Sequence, residues 1–180
     1  MGYFKEVDGD LIELSLQGNF DVVIQGCNCQ NTMSAGIAVP MKEAFGTDAF
    51  PMELTDRGDY NKLGQIDYHP FFIQDGEAIP FFEGKLIADL SPSKYKRLYV
   101  VNCYTQYNYG RNHADGDAIP LNYTALEMCL DKINHIFKGK HIGAPLIGCG
   151  LASGNPDVII PMMKSQLRDC DVTLVHYLKK

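Results

Sequence analysis

The chain has 180 residues, 46% hydrophobic and 21% charged, enough for one domain with a sizeable core and too few for two. Lys and Arg total 16 against 22 Asp and Glu, a formal charge of −6 with no basic run. That balance argues against a surface that follows a nucleic-acid backbone with clustered cations.

The first residues, MGYFKEVDGDLIEL, carry Glu6, Asp8 and Asp10 where an export signal needs an apolar core, so no export is expected. No apolar run reaches membrane-spanning length. The six cysteines, Cys27, Cys29, Cys103, Cys129, Cys149 and Cys170, lack the paired CxxC spacing of zinc sites. The expectation is a reducing cytoplasm, with no disulfide, metal or cofactor.

In chain order, Asp21 to Ile24 is the first clear buried strand. A glycine-rich loop from Gly26 to Ala38 follows, and a helix from Gly36 to Phe45 ends at Gly46. From about 69 to 96 the helical period disappears. Paired aromatics flank Asp75-Gly76, a strong turn signal, and the segment reads as an inserted β-hairpin. Leu98 to Cys103 is a second buried strand, and Asn122 to Phe137 carries an apolar stripe at three- and four-residue steps. A third strand spans His141 to Ile147, and a second glycine-rich loop runs from Ile147 to Pro156. Asn155 caps a helix reaching toward Leu167, with Pro156 at its first position and Pro161 bending it. Val172 to Val175 is the last strand. Strands alternating with helices predict a single α/β domain over residues 1–180 with a mostly parallel sheet.

In such a sheet, loops at the carboxyl ends of strands converge on one crevice, so both glycine-rich loops should face one pocket. Small residues let backbone N–H groups approach a ligand, and helix N-termini add partial positive charge, a combination that binds phosphate without lysine or arginine. The plainer reading is that the glycines only make tight turns. Neither loop has a GK[ST] ending or the GxGxxG spacing. Cys29 and Cys149 have no adjacent histidine or lysine to activate them and read as packing residues. No histidine falls in either loop; His113, in the segment Tyr109 to Asp117, is the one with some reach to the site.

Gly9-Asp10-Leu11, Asn28 at a strand end, Ala35-Gly36-Ile37-Ala38 and Pro145-Leu146-Ile147-Gly148-Cys149-Gly150 occur in an order and spacing that resemble the macrodomain family. Cys27-Asn28-Cys29, the Ala35 to Ala38 segment and Lys62-Leu63-Gly64 are most similar to the branch with yeast-type ADP-ribose-1″-phosphate phosphatases, terminal ADP-ribose glycohydrolases and phage-encoded relatives. The resemblance implies a three-layer α/β/α fold with a mixed, mostly parallel sheet, and ADP-ribose or a derivative as ligand. It implies that Asp10 accepts from the adenine amino group with Leu11 beside it. Ala35, Gly36, Ile37 and Ala38 would lie along the diphosphate and distal ribose. Gly148, Cys149, Gly150, Leu151, Ala152 and Ser153 would form the second phosphate cradle, and Asn28 would bond the distal ribose. Leu146, Tyr104 and Tyr177 complete the implied ligand set; Asp10 as a turn residue and Tyr177 as a core residue stay open.

The catalytic part of the resemblance is thinner. The stretch Val101 to Gln106 lacks the lysine of the glycohydrolases, Ala152 replaces their aspartate, and Gln25 stands where the phosphatase has a histidine. The implied activity is hydrolysis of ADP-ribose 1″-phosphate by a water that Asn28 and Gln25 orient. The competing readings are a binding module without turnover, and removal of ADP-ribose from a modified protein or nucleic acid, the one form in which nucleic acid is an expected partner.

Overall fold

Val22, Val23 and Ile24 are all fully buried, so their strand must be covered on both faces, and the architecture follows from that. The computed structural model describes residues 1–50, 57–81, 95–109 and 119–178. Its elements are β1 (Phe4–Asp8), α1 (Leu11–Leu16), β2 (Val22–Asn28), α2 (Ala38–Phe45), β3 (Ile66–Gln74), β4 (Glu77–Pro80), β5 (Lys96–Gln106), α3 (Tyr123–Ile136), β6 (His141–Ala144), α4 (Pro156–Gln166) and β7 (Asp171–His176), with 3-10 turns at Thr47–Ala49 and Tyr60–Lys62.

The seven strands form one sheet in the order β1-β7-β6-β2-β5-β3-β4. The first five in that order pair parallel; β3 runs antiparallel to β5, and β4 antiparallel to β3. Alternation along β2 sends Val22 and Ile24 into one core, with Leu126, Leu130 and Ile133 of α3 and Ile159 and Met163 of α4. Val23 enters the other, with Leu11 of α1 and Met41 and Phe45 of α2. This is the expected three-layer α/β/α arrangement. The α3 stripe is the main weld: Leu126, Leu130 and Ile133 are sealed from solvent, and burying each stabilises by roughly 2 kcal/mol.

The cap expected at Asn155 is formed, and Asn122 caps α3 in the same way. Asn122 accepts from Ala125 N at 2.8 Å, and Asn155 accepts from Asp157 N at 2.9 Å. The hairpin turn falls at Asp75 and Gly76, both with positive φ (51° and 79°), as a two-residue primed turn requires.

The hairpin joins the main sheet at its edge. Its first strand starts at Ile66 and pairs with β5 from Ile66↔Cys103 to Ile73↔Lys96; residues 82–94 of the expected insert lie outside the described residues. The third strand stops at Ala144, where Pro145, lacking an N–H, ends the ladder. Helix α1 went unpredicted because six residues are too few to show a period. No helix among the described residues is long and apolar enough to cross a membrane.

Candidate functional site

Strands β2, β5 and β6 run parallel and end on the same side of the sheet, so the segments that leave them meet there. They enclose a cleft of about 990 Å³. Both glycine-rich loops line it, as expected: Ala35, Gly36, Ile37 and Ala38 from the first, and Leu146, Gly148, Gly150, Leu151, Ala152 and Ser153 from the second. The loops approach each other across it: a methyl group added at Gly36 would lie 3.8 Å from Leu151 Cδ1.

The first loop is closed by Asn28. Its amide donates to Thr32 O at 3.0 Å, and its Oδ1 accepts from Thr32 N at 3.1 Å. Asn28 lines the cleft, but most of its amide is committed to shaping the loop. Gly36 follows with φ 62°, a conformation that a Cβ makes costly. Helix α2 follows, with Ile37 at its cap position and no side-chain cap; in its first turn Val39 N donates to Gly36 O at 3.4 Å and Pro40 has no N–H, which leaves Ala38 N as the amide without a backbone partner among the described residues.

The second loop closes on its own backbone. Gly154 N donates to Gly148 O at 2.7 Å, Ser153 N to Gly150 O at 3.1 Å, and Leu121 N to Ala152 O at 3.2 Å. Two glycines there are dictated by packing: a methyl at Gly148 would come within 2.8 Å of Leu121, and one at Gly154 within 2.7 Å of Gly148 O. A methyl at Gly150 would meet nothing within 4 Å, so that side of the loop is open.

The floor is the end of β5, Thr105 and Gln106. Neither was anticipated, although the rule that found the loops, that ligands bind at strand carboxyl ends, applies equally to this strand. Among the described lining residues there is no Asp, Glu, His, Lys or Arg. The thiol of Cys27, which also lines the cleft, is pushed far above its ordinary range, chiefly by burial. The described cleft therefore offers backbone amides, hydroxyls and carboxamides rather than an acid or base.

Two expected site residues face elsewhere. Gln25 is 0% exposed, does not line the cleft, and donates to Asn102 Oδ1 at 2.8 Å. It lies beneath Met33, and its Oε1 is buried without a partner. Strand alternation explains this: Gln25 shares the side of β2 that carries Val23, so it enters the α2 layer, and it cannot orient a water in the cleft. Tyr104 is also sealed, its hydroxyl donating to Asp67 at 2.6 Å, and burial with that carboxylate drives its pKa strongly up.

Asp10 caps α1, its Oδ1 accepting from Ile12 N at 2.8 Å and Glu13 N at 3.1 Å. Leu11 is buried in the α1 core, and Tyr177, beyond β7, is 68% exposed. These three and the half-buried Cys149 are not among the described cleft-lining residues. His113, the histidine singled out earlier, lies outside the described residues.

No family model matches the chain. An uncharacterized 17.5 kDa protein of the tk-vs intergenic region of Enterobacteria phage T4 is 26% identical over 178 residues, 96% of each chain. Among solved structures, the macrodomain of Thermus aquaticus DarG superposes with a TM-score of 0.58 at 17% identity, covering 98% of this chain and 99% of that one. Thermosipho africanus DarTG in complex with ADP-ribose gives 0.62 at 17% identity, covering 100% of this chain and 43% of that one. The fold is the macrodomain fold.

Proposed function

We propose that the chain binds ADP-ribose, or the ADP-ribosyl group of a larger molecule, in the cleft between the β2–α2 and β6–α4 loops. The observation that carries this reading is a cleft of about 990 Å³ whose described lining has no charged side chain and contains two glycine-rich loops. A pocket of roughly 300–1,000 Å³ takes a ligand of this size. The start of α2, where Ala38 N is open, favours a diphosphate without a cation. The resemblance of the loop motifs and the ADP-ribose complex of a protein with this fold support the same ligand.

Turnover is the weaker part of the reading. Hydrolysis of ADP-ribose 1″-phosphate was expected from Asn28 and Gln25, but Gln25 is sealed under Met33 and Asn28 is bonded to Thr32. Positioning and oriented amides can still accelerate attack on phosphorus, yet the described cleft holds no base. A binding module therefore fits better than a phosphatase. Calorimetric titration with ADP-ribose, followed by a phosphate-release assay on ADP-ribose 1″-phosphate, tests both. Saturable binding without release is the expected result. Absence of binding would remove the ligand assignment, and enzyme-dependent release would restore the phosphatase.

A further inference from the structure

We infer that Lys62, buried behind the β2–α2 loop, is a positioning residue that holds this loop in its ligand-binding shape through Asn31; the inference rests on the ADP-ribose reading above. Lys62 ends the 3-10 turn Tyr60–Lys62 and is 1% exposed. Lysine is almost never sealed unless its ammonium is bonded, because taking the charge out of water is costly. A position that needed only packing would be filled at less cost by methionine or leucine.

The ammonium is directed at the loop. Its Nζ donates to Asn31 Oδ1 at 3.4 Å and lies over the Tyr104 ring, 5.2 Å from the centroid, within reach of a cation–π contact. Asn31 has φ 54°, a left-handed conformation that asparagine tolerates better than most residues but that still carries a cost. Its N–H donates to Asn28 O at 3.1 Å, and the next residue, Thr32, exchanges two hydrogen bonds with the Asn28 amide. Asn28 and Thr32 line the cleft, whereas Asn31 is 5% exposed and is not among the described lining residues. Lys62 therefore meets the turn from behind and acts on the cleft through it.

The rest of the Lys62 segment backs the same region. Gly58 N donates to Cys29 O at 2.8 Å, Tyr107 OH to Gly58 O at 2.9 Å, and Gly64 N to Tyr104 O at 2.8 Å. The ladder itself is irregular here: Cys27 pairs with Tyr104 but Asn28 pairs with Gln106, which leaves Thr105 as a bulge on β5. The loop thus leaves the sheet where strand pairing no longer dictates its path. A buried lysine bonded to Asn31 supplies the missing constraint. A loop fixed before the ligand arrives gives up little further freedom on binding, which raises affinity.

Lys62 and Asn31 each make further interactions, so a double-mutant cycle isolates the pair. Each protein is titrated with ADP-ribose in a calorimeter and followed in a thermal scan. Lys62→Met, which keeps the side-chain length without the ammonium, is expected to weaken ADP-ribose about fivefold to tenfold. Asn31→Gly, which keeps the left-handed backbone, should weaken it several-fold, and adding Lys62→Met to it should weaken it less than about twofold further. Asn31→Asp, which retains Oδ1 as an acceptor, should bind within about twofold of wild type. If Lys62→Met unfolds at the assay temperature, the contrast between Asn31→Gly and Asn31→Asp decides. Equal affinity in that contrast, additive losses in the cycle, or undiminished affinity in Lys62→Met whatever its Tm overturns the role of Lys62 while the ligand assignment stands. Wild-type protein that does not bind ADP-ribose overturns the ligand assignment, and this role with it.

Discussion

The two walls of the cleft are built by opposite means. The β6–α4 wall satisfies itself: main-chain bonds fold Gly148 to Gly154 into a closed turn, Leu121 packs against both glycines, and Asn155 caps the helix that follows. The β2–α2 wall is closed by a single side chain, Asn28 on Thr32, and leads into a helix with no capping side chain. A loop that uses its own amides has few to offer a ligand, and the uncapped start of α2 keeps Ala38 N available, since Val39 N is bonded to Gly36 O and Pro40 has no N–H. Stability should therefore reside mainly in the first wall and affinity mainly in the second.

The largest effect expected of that contrast is at Gly154. A methyl group there meets Leu121 at 2.6 Å, Gly148 O at 2.7 Å and Ile159 at 2.7 Å. The carbonyl belongs to the closed turn and cannot swing away. Gly154→Ala is expected to cost about 3 kcal/mol, a fall in Tm of roughly 10 °C by circular dichroism. An unchanged Tm would mean that the wall is soft, and the contrast would vanish.

Asn28→Ala tests the other wall. Losing both bonds to Thr32 should cost about 1 kcal/mol of stability and roughly tenfold in ADP-ribose affinity by calorimetry; full affinity would move the ligand off this loop. Asn155→Ala should show the reverse pattern, losing about 1 kcal/mol in urea unfolding through the missing cap while ADP-ribose binds as before.

The smallest effect concerns pH. His141 begins β6, at the end of the sheet away from the cleft, and burial, with a further contribution from Lys5, holds its pKa below the ordinary 6.5. The folded state thus resists protonating it. Its contribution to stability is present above pH 6.5 and is lost as pH falls through the lowered folded value. Denaturation between pH 7.5 and 5 should show that decline, His141→Gln should flatten it, and ADP-ribose affinity should stay level. A matching fall in affinity would tie the two ends of the sheet together.

What the sequence disclosed was mostly local. The α3 stripe, the cap at Asn155, the Asp75-Gly76 turn and the convergence of two glycine loops each depend on residues close in the chain. The misreadings involve distant partners. Gln25 finds Asn102, 77 positions away, although its alternation with Val23 already placed it off the α3 side. The bulge at Thr105 exists only relative to β2, and the early start of the hairpin strand at Ile66 exists only relative to β5. Asp10, which the resemblance sets against adenine, also serves as an N-cap through Oδ1, a use that a short helix concealed.

All six cysteines are free thiols, and five of them are buried; the sixth, Cys149, is half-buried on the β6–α4 loop, with burial raising its pKa above the ordinary 9.0. A raised pKa slows alkylation without preventing it where reagent has access. The folded protein should thus take one maleimide dye slowly and selectively at Cys149, beside the self-closed wall. The other five thiols would react only as the core opens, so one labelling reaction reports on the β6–α4 loop and its stoichiometry reports on unfolding.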